Sequence, residues 1–369
     1  MKILLLGDAS NYHATLAHGL KALGHDVTLA SDGSRWMQTE RNIDLSRADS
    51  RIGGAILYAR LSTVLAPRLR GYDVVQFVSP GFARLRPQRL EKLLKKLRHN
   101  NGSLYLTALG TDNTLVRNLS GPAPALRYSE WQTGGRPTPW AASDASKRDQ
   151  WLARDLADYT EAFYGNIDGA VSALYEYHKI MEAEHPAIPL AYGGIPIDTT
   201  SLCAPRIKGE GERVKILFAA HRGREGEKGA DVLFDLLKRL ANEIPDKVEL
   251  MMPPNMPLRQ FISTLAEADM VSDQLYSFTP ATTALMAMAM GVVPITGGEE
   301  EYYTFIGEHS TRPIFNPDPE DLDDTYRRLK ALVSDRAALR AMSAAAPAFV
   351  RRHNDAAVVA RRFADFWQR

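Results

Sequence analysis

The chain has 369 residues, with 45 Lys and Arg against 44 Asp and Glu, so its formal net charge at neutral pH is +1. This balance excludes the strongly basic class of dedicated nucleic-acid binders, and we expect no nucleic-acid partner. Apolar residues make up 45% and charged residues 24%, which is typical of globular proteins and excludes fibrous and wholly disordered chains. The single cysteine, Cys203, excludes an intramolecular disulfide framework and favours a reducing, cytoplasmic compartment.

The apolar runs that we considered are too short for targeting or membrane insertion. The run at 3–6 is shorter than the ~7 to 15 residues of a signal-peptide core. The longest apolar stretch, 284–295, contains Gly291 and Pro294 and is shorter than the ~18 residues that cross a bilayer. We therefore expect neither a signal peptide nor a transmembrane helix.

The first half of the chain alternates short apolar runs with helical patterns. A strand at 3–6, a helix whose apolar residues recur up to Gly24, and a strand at 27–30 form a β-α-β unit. Further strands are predicted at 74–78, 104–108, 170–173 and 188–191. This alternation is typical of a parallel sheet covered by helices, so we predict a Rossmann-like domain over residues 1–195.

Residues 113–146 interrupt this alternation. Glycines and prolines recur throughout this segment, which is too long for a simple connection. We therefore predict an elaborated loop of the first domain. Trp131 and Trp140 lie in this loop. Because flat aromatic rings suit the apolar faces of sugars, both are candidates for stacking on a sugar ring. The alternative is that they anchor the irregular segment by packing.

A second break precedes another α/β pattern, and we predict an interdomain linker at 196–212. After it come strands at 214–220, 248–252, 270–271 and 292–296, with helices at 229–241, 258–268 and 280–290 and two more beyond them. These elements predict a second Rossmann-like domain over 213–345. The last stretch carries an apolar helix face, which predicts that residues 346–369 pack back on the first domain.

Three motifs of the second half carry a family resemblance. Arg224 and Lys228-Gly229 lie on a Gly-rich loop between a strand and a helix, where open α/β sheets bind ligands. Residues 287–291 read Ala-Met-Ala-Met-Gly, and Gly297-Gly298 is followed by Glu301. Together with Asn11-Tyr12-His13 and the Leu-Gly-His-Asp-Val segment at 23–27, these motifs resemble the retaining GT-B enzymes of glycosyltransferase family four.

The resemblance implies two Rossmann-like domains that face each other across a cleft, with a nucleotide-sugar donor on the second and an acceptor on the first. It implies transfer of a hexosyl group with retention of anomeric configuration. We expect no metal, and no cofactor besides the nucleotide-sugar co-substrate. The candidate donor and phosphate residues are Arg224, Lys228, Gly229, Asp273, Thr279, Thr282, Gly297, Gly298 and Glu301.

Physical chemistry points to the same place. A departing nucleoside diphosphate carries negative charge that fixed cations can hold, and Arg224 and Lys228 are suited to this unless their loop is simply a solvated charged surface. Thr279 as N-cap and Pro280 as first residue predict a helix start, where free backbone N–H groups bind anions. We expect both cations to point towards that helix.

The sequence departs from the family pattern at two positions. Counting back from Gly291, the family's paired glutamates fall at Phe278 and Met286, neither of which is acidic. In the family the second glutamate holds the nucleotide ribose. Asp273 is the nearest acidic substitute, and a surface aspartate is the alternative interpretation.

Tyr12, His13 and Asp112 are the candidate residues of the first domain. Tyr12 lies in the opening loop that resembles the family, and the resemblance makes it an acceptor-side candidate together with Trp131 and Trp140. His13 would accept a proton or contact the sugar, and Asp112 would contact sugar hydroxyls. The structural alternatives are a histidine that merely supports its loop and an aspartate that stabilises a turn.

Two charged segments have simpler interpretations. Residues 84–98 carry seven basic residues and one acid, and a leucine stripe predicts a helix over 87–98 whose basic face allows weak peripheral contact with the inner face of a membrane. A solvated basic face is the alternative. Asp321, Asp323 and Asp324 follow Pro319, where acids favour a helix start, so we do not read them as metal ligands.

Three functions are compatible with these observations. The first is a glycosyltransferase that uses a nucleotide-sugar donor and a glycan or lipid-linked acceptor hydroxyl. The second is a non-catalytic glycan or nucleotide-sugar binding protein on the same scaffold, which Phe278 and Met286 favour. The third, a nicotinamide-dependent oxidoreductase, has the strands but lacks Gly-x-Gly-x-x-Gly after Leu6.

Overall fold

The computed structural model describes residues 1–34, 37–209, 213–219, 223–254 and 256–369. The chain divides into two compact units, each built from separate segments. Unit 1 comprises Met1–Ala125, Ser146–Pro196 and Ala356–Arg369, and unit 2 comprises Leu126–Ala145 and Ile197–Asp355. Each unit contains a parallel sheet with helices, which confirms the predicted Rossmann-like α/β class.

The strands are β1 Lys2–Leu6, β2 Asp26–Ser31, β3 Ile43–Asp44, β4 Val74–Phe77, β5 Ser103–Ala108, β6 Gln132–Thr133, β7 Arg136–Pro137, β8 Gly169–Ser172, β9 Leu190–Tyr192, β10 Val214–Phe218, β11 Val248–Met251, β12 Met270–Ser272 and β13 Val293–Ile295. The helices are α1 Tyr12–Ala22, α2 Arg51–Ser62, α3 Pro87–Asn100, α4 Asn113–Ser120, α5 Pro139–Ser143, α6 Ala145–Trp151, α7 Arg154–Tyr164, α8 Tyr175–Glu184, α9 Glu225–Lys228, α10 Ala230–Glu243, α11 Leu258–Glu267, α12 Thr282–Ala289, α13 Glu300–Phe305, α14 Leu322–Ser334, α15 Arg336–His353 and α16 Ala356–Trp367. A short 3-10 helix spans Ala66–Leu69.

Unit 1 is built on a seven-stranded sheet in the order β3-β2-β1-β4-β5-β8-β9. All of its neighbouring strands pair in parallel. The central strands β1 and β4 are buried except for Lys2 at the start of β1, because helices cover both faces of such a sheet and apolar residues can follow one another without alternation. The six strands predicted for this half are confirmed. The edge strand β3 has two residues, too few to show any periodicity.

The last helix, α16, packs on α1 within unit 1. Gly19 of α1 makes this close approach possible, since a Cβ atom there would lie 2.8 Å from the Cβ of Ala360. The chain changes unit at Ala356 rather than at the predicted residue 346. The reason is that α15 continues past residue 346 through buried Phe349, whose ring lies 6.1 Å from that of Tyr303 in unit 2.

Unit 2 has a four-stranded parallel sheet in the order β11-β10-β12-β13. These are the four strands predicted for the second half, although Ala220, the predicted end of the first, lies outside the described residues. The predicted linker is largely part of this unit. The backbone N–H of Gly209 donates to Asp269 at 2.8 Å and that of Lys208 donates to Ser343 at 2.8 Å, while 210–212 lie outside the described residues.

The predicted loop of the first domain is wrong in both form and placement. Its first part is helix α4, in unit 1. Its central part, Leu126–Ala145, belongs to unit 2 and contains the antiparallel hairpin β6–β7 and helix α5. Gly134 and Gly135 turn the hairpin with φ values of +55° and +70°. We call Leu126–Ala145 the insert.

Across the described residues, every helix is too short or too polar to cross a bilayer.

Candidate functional site

Lys228 and Asp273 meet at one edge of the unit 2 sheet. Lys228 ends α9, which follows β10, and Asp273 follows β12 directly. Because β10 and β12 are parallel neighbours, their carboxyl ends lie at the same edge. The Nζ atom of Lys228 lies 3.8 Å from Oδ1 of Asp273. The aspartate side chain is fully buried and the lysine side chain is 15% exposed, so the lysine is the partner that reaches solvent.

Gly229 fixes the backbone beside this pair. Its φ of +66° is a left-handed conformation that glycine adopts without strain. A Cβ atom at this position would lie 2.7 Å from the Cβ of Leu275, and the Leu275 N–H donates to the Lys228 carbonyl at 2.8 Å. The α9–α10 turn is thereby held against the loop that follows β12.

Arg224, the N-cap residue of α9, has a partner within that helix. Its Nε donates to Glu227 at 2.9 Å, and a second guanidinium nitrogen pairs with the other carboxylate oxygen of Glu227. The Arg224 side chain is 58% exposed. The Glu227 carboxylate partly offsets the positive charge of Arg224, so the role of Arg224 in phosphate binding stays a prediction. Arg222 of the same loop lies outside the described residues.

The helix predicted at 280–290 begins later than expected. Its first residue is Thr282, and its N-cap is Ala281, which has extended backbone and whose side chain makes no capping hydrogen bond. The prediction that Thr279 caps this helix is therefore wrong, because the chain stays non-helical through Ala281. Thr279 itself is buried. The first turn of α12 thus begins without a side-chain cap at its N-cap residue.

Gly297 and Gly298 are required by packing. A Cβ atom on Gly297 would collide with the Ser277 carbonyl, and one on Gly298 would lie 2.9 Å from Ile314. Their backbone N–H groups donate to the Ser277 hydroxyl at 3.2 Å and to the Asn316 side chain at 3.0 Å. The loop that contains Gly297 and Gly298 therefore packs closely against the loop that precedes α12.

A cluster that the sequence did not reveal joins the insert to these loops. The ring of Tyr128 stacks on Phe278 with a centroid distance of 4.6 Å. The Tyr128 hydroxyl donates to Glu299 at 2.5 Å and lies 3.2 Å from the Ser277 carbonyl. Arg127 forms an ion pair with Glu299, and its Nε lies 3.6 Å from the carboxylate of Glu301. Residues 299–301 are all glutamates, and this acidic run is a sequence signal that could have indicated a basic partner such as Arg127.

Phe278 and Met286 stand at the two positions where the resemblance leads us to expect glutamates, and both side chains pack against neighbours within unit 2. Phe278 is 3% exposed beneath Tyr128, and Met286 is partly buried against an apolar cluster of unit 2. Glu299 is linked to Phe278 through the backbone, since its N–H donates to the Phe278 carbonyl at 3.2 Å.

Trp131 and Trp140 lie in unit 2, not in the first domain as predicted. Their ring centroids are 4.9 Å apart, and Trp131 is buried. Trp140 packs on α9 at Gly226, where a Cβ atom would lie 3.1 Å from the indole ring. These contacts agree with the alternative interpretation, in which the tryptophans anchor the insert.

His13 is fully buried in a directional chain of hydrogen bonds in unit 1. The Trp367 indole N–H donates to Gln76, the Gln76 amide donates to Thr107, and Thr107 lies 3.0 Å from His13 Nε2. His13 Nδ1 lies 2.7 Å from the Gly7 carbonyl. Since a carbonyl can only accept, the neutral Nδ1–H tautomer satisfies every member. Burial lowers the pKa of His13 to about 4, against an opposing effect of the Asp8 carboxylate.

Tyr12 and Asp112 are also engaged within unit 1. The buried Tyr12 hydroxyl donates to the Gly194 carbonyl at 2.7 Å. Asp112 is the N-cap of α4, accepts from the Leu115 N–H at 2.8 Å, and accepts from the Tyr164 hydroxyl at 2.6 Å. Burial raises the pKa of Asp112, although these hydrogen bonds oppose the shift. The contacts are those of a helix cap.

Within the described residues, no group of three His, Cys, Asp or Glu side chains is arranged to hold a metal ion. Asp321 is the N-cap of α14 and accepts from the Asp324 N–H at 2.8 Å, which confirms its interpretation as a helix-start residue.

Comparison of whole structures shows what this fold is similar to. Sucrose-phosphate synthase from Thermosynechococcus elongatus aligns over 100% of this chain and 98% of its own, with a TM-score of 0.62 and 11% identity. HepE from Anabaena, solved in complex with UDP-glucose, aligns over 100% and 99%, with a TM-score of 0.59 and 12% identity. The lipopolysaccharide outer core galactosyltransferase WaaB aligns over 99% of both chains, with a TM-score of 0.56 and 12% identity.

At these identities the likeness shows the fold alone, and that fold is the GT-B fold, as the sequence predicted. No protein-family model matches the chain, and no curated protein sequence matches it.

Proposed function

We propose that the chain is a nucleotide-sugar-dependent glycosyltransferase whose donor site lies in unit 2. The observation that carries this proposal is the Lys228–Asp273 pair at the carboxyl edge of the sheet, in a fold shared with HepE, which was solved with UDP-glucose. A departing diphosphate needs a fixed positive charge, and a buried carboxylate holds the Lys228 ammonium in place. The first turn of α12 adds backbone N–H groups and the positive end of a helix dipole.

We assign the following roles in this proposal. Lys228 binds the diphosphate, and Asp273 is its positioning residue. Gly229 allows the close approach of the two loops, and Thr279 and Thr282 supply polar groups at the start of α12. Gly297, Gly298 and Glu301 shape the sugar side of the site. Arg224 would contact the diphosphate after leaving its ion pair with Glu227.

The proposed reaction transfers a hexosyl group with retention and without metal. The bond between the anomeric carbon and the diphosphate oxygen breaks, and the acceptor oxygen bonds to the anomeric carbon from the same face. The acceptor proton goes to the departing diphosphate oxygen. His13 is a poor base for this step, because both ring nitrogens have protein partners and burial holds its pKa at about 4.

We propose that the acceptor is a glycan or lipid-linked hydroxyl and that the reaction is cytoplasmic. Titration calorimetry with UDP, UDP-glucose and other nucleotide sugars tests the donor assignment. Micromolar to millimolar binding of a nucleoside diphosphate in the presence of a chelator is the expected result. If binding vanishes on chelation and returns with magnesium, the metal-free reaction is wrong.

A non-catalytic nucleotide-sugar binding protein is the second candidate. Phe278 favours it, since this side chain is 3% exposed and stacks on Tyr128 at a position where the resemblance leads us to expect a glutamate. Release of nucleoside diphosphate from the bound donor distinguishes a glycosyltransferase from a non-catalytic binding protein. Turnover in the presence of a glycan or lipid-linked acceptor supports the transferase, and tight donor binding with no release over hours supports the binding protein.

A further inference from the structure

Helix α9, which ends in Lys228, is too short to hold its own conformation. It has four residues, its N-cap makes no side-chain hydrogen bond, and none of its residues is fully buried. Glycines at 223, 226 and 229 lie in it or beside it, and glycine loses more conformational freedom on folding than any other residue. Isolated helices of this length do not persist in water. The position of Lys228 therefore depends on what packs against α9.

Two of these glycines mark the places where other segments approach α9 most closely. A Cβ atom at Gly229 would lie 2.7 Å from the Cβ of Leu275, in the loop that follows β12. A Cβ atom at Gly226 would lie 3.1 Å from Cδ1 and 3.2 Å from Cβ of Trp140, in helix α5 of the insert. Any side chain at either position would push its neighbour away. Helix α9 is thus packed against both the loop that follows β12 and the insert.

Trp140 is itself fixed within the insert. Thr138 is the N-cap of α5, where its hydroxyl accepts from the Ala141 N–H at 3.2 Å and donates to the Glu130 carbonyl at 2.6 Å. The indole of Trp140 lies 4.9 Å, centre to centre, from that of the buried Trp131. The capped helix and the second indole hold Trp140 in one orientation, so it offers α9 a fixed surface.

The insert also contacts the loops at the ends of two neighbouring strands. Tyr128 stacks on Phe278, in the loop that follows β12, and its hydroxyl donates to Glu299, in the loop that follows β13. With Trp140 on α9, which follows β10, one segment touches the loops that follow three adjacent parallel strands. These loops carry the residues that we assign to the donor site.

We propose that the insert is the positioning element of the donor site and that Trp140 is the positioning residue for Lys228. The indole packs on Gly226 and keeps α9 in the conformation that brings the Lys228 ammonium to Asp273. The cation is then in place before a diphosphate arrives, and affinity rises because binding no longer has to order α9. This inference rests on the proposed role of Lys228 in diphosphate binding.

Calorimetric titration of UDP into variants of the full chain tests the proposal. Trp140→Ala should bind UDP about three- to tenfold more weakly than the parent, since α9 must then be ordered on binding. Trp140→Phe keeps an aromatic ring on Gly226 and should bind UDP like the parent. In the Lys228→Ala background, Trp140→Ala should cause little further loss, because its effect on affinity passes through Lys228.

A second measurement needs no ligand. Backbone hydrogen exchange over residues 224–229 should be faster in Trp140→Ala than in the parent, while exchange in β11 should be unchanged. Gly226→Val, whose side chain would enter the space of the indole, should have the same effects and replaces Trp140→Ala if that variant does not fold. The matched control is Trp151→Ala, at the end of α6 in unit 1, which should match the parent in both measurements. Thermal melting checks that each variant is folded.

Several outcomes would overturn the proposal. These are unchanged exchange over 224–229 in Trp140→Ala and Gly226→Val, an equal loss of UDP affinity in Trp151→Ala, or strict additivity of Trp140→Ala and Lys228→Ala. If Lys228→Ala loses affinity while Trp140→Ala and Gly226→Val do not, the role of the insert is wrong and the donor-site proposal stands. A parent chain that binds no nucleoside diphosphate would instead contradict the donor-site proposal, and this inference with it.

Discussion

At the scale of single residues, Glu308 is an acid in the interior of unit 2, with 2% of its surface exposed. Its carboxylate lies 2.5 Å from Arg352 and 3.2 Å from His353, and it accepts hydrogen bonds from the backbone and hydroxyl of Ser310. Burial alone would raise the pKa of Glu308. The contacts with His353, Ser310 and Arg352 outweigh burial and hold the pKa at about 2.

Glu308→Gln should therefore destabilise the protein in a pH-dependent way. The folded pKa of Glu308 is below the ordinary value of 4.5, so its charge contributes stability above pH 4.5 and loses that contribution as the pH falls towards 2. We expect the variant to lose about 1.5 to 3 kcal/mol at pH 7 in urea unfolding, and the gap to the parent to narrow at pH 3.

The control is Glu182→Gln, which removes an exposed carboxylate that pairs with Lys179. It should change stability by less than about 1 kcal/mol. A Glu308→Gln deficit of the same size at pH 7 and pH 3 would show that the carboxylate charge is not what stabilises this site.

At the scale of elements, the end of α16 is tied to the unit 1 sheet by the hydrogen-bond chain through Trp367, Gln76, Thr107 and His13. Gln76, Thr107 and His13 have no exposed surface. A break in the chain leaves a buried polar atom without its partner, and that costs more than the hydrogen bond itself contributes.

Trp367→Phe should lower the free energy of unfolding by about 1 to 3 kcal/mol, because the Gln76 carbonyl then loses its donor. Adding Gln76→Met to that variant removes the stranded carbonyl. We therefore expect the double variant to lose less than the sum of the two single variants in a thermal or urea double-mutant cycle. Strict additivity would mean that the two side chains are not coupled.

A second prediction at this scale concerns the packing of α1 on α16. Gly19→Ala would favour helix formation by roughly 1 kcal/mol at an exposed position. Here the new methyl group would meet Ala360 at 2.8 Å, so we expect a net loss of about 1 to 3 kcal/mol. A more stable Gly19→Ala variant in urea unfolding would contradict the close packing of these helices.

At the scale of the whole molecule, hydrophobic periodicity was enough to predict both parallel sheets and the Rossmann-like class. Lys228 and Asp273 could be proposed because each follows a recognisable strand. The placement of the insert in unit 2 could not be predicted from the sequence. Tyr128 and Glu299 are 171 residues apart in the chain, and no local pattern encodes their contact. Thr279 was misassigned because the local capping signal predicts a helix that begins at Pro280, whereas α12 begins at Thr282.

The central claim is that Lys228 holds a diphosphate, and calorimetric titration of UDP into Lys228→Ala tests it most directly. Charged hydrogen bonds are worth about 1.5 to 3 kcal/mol, so we expect affinity to fall by roughly 10- to 150-fold. The double variant Lys228→Ala/Asp273→Asn also removes the buried Asp273 charge that Lys228→Ala leaves without its partner. It should bind UDP as weakly as Lys228→Ala does, while its free energy of unfolding should be closer to that of the parent. Lys238→Ala, an exposed lysine of α10, should bind UDP like the parent. An affinity for Lys228→Ala within about 0.5 kcal/mol of the parent would contradict the account.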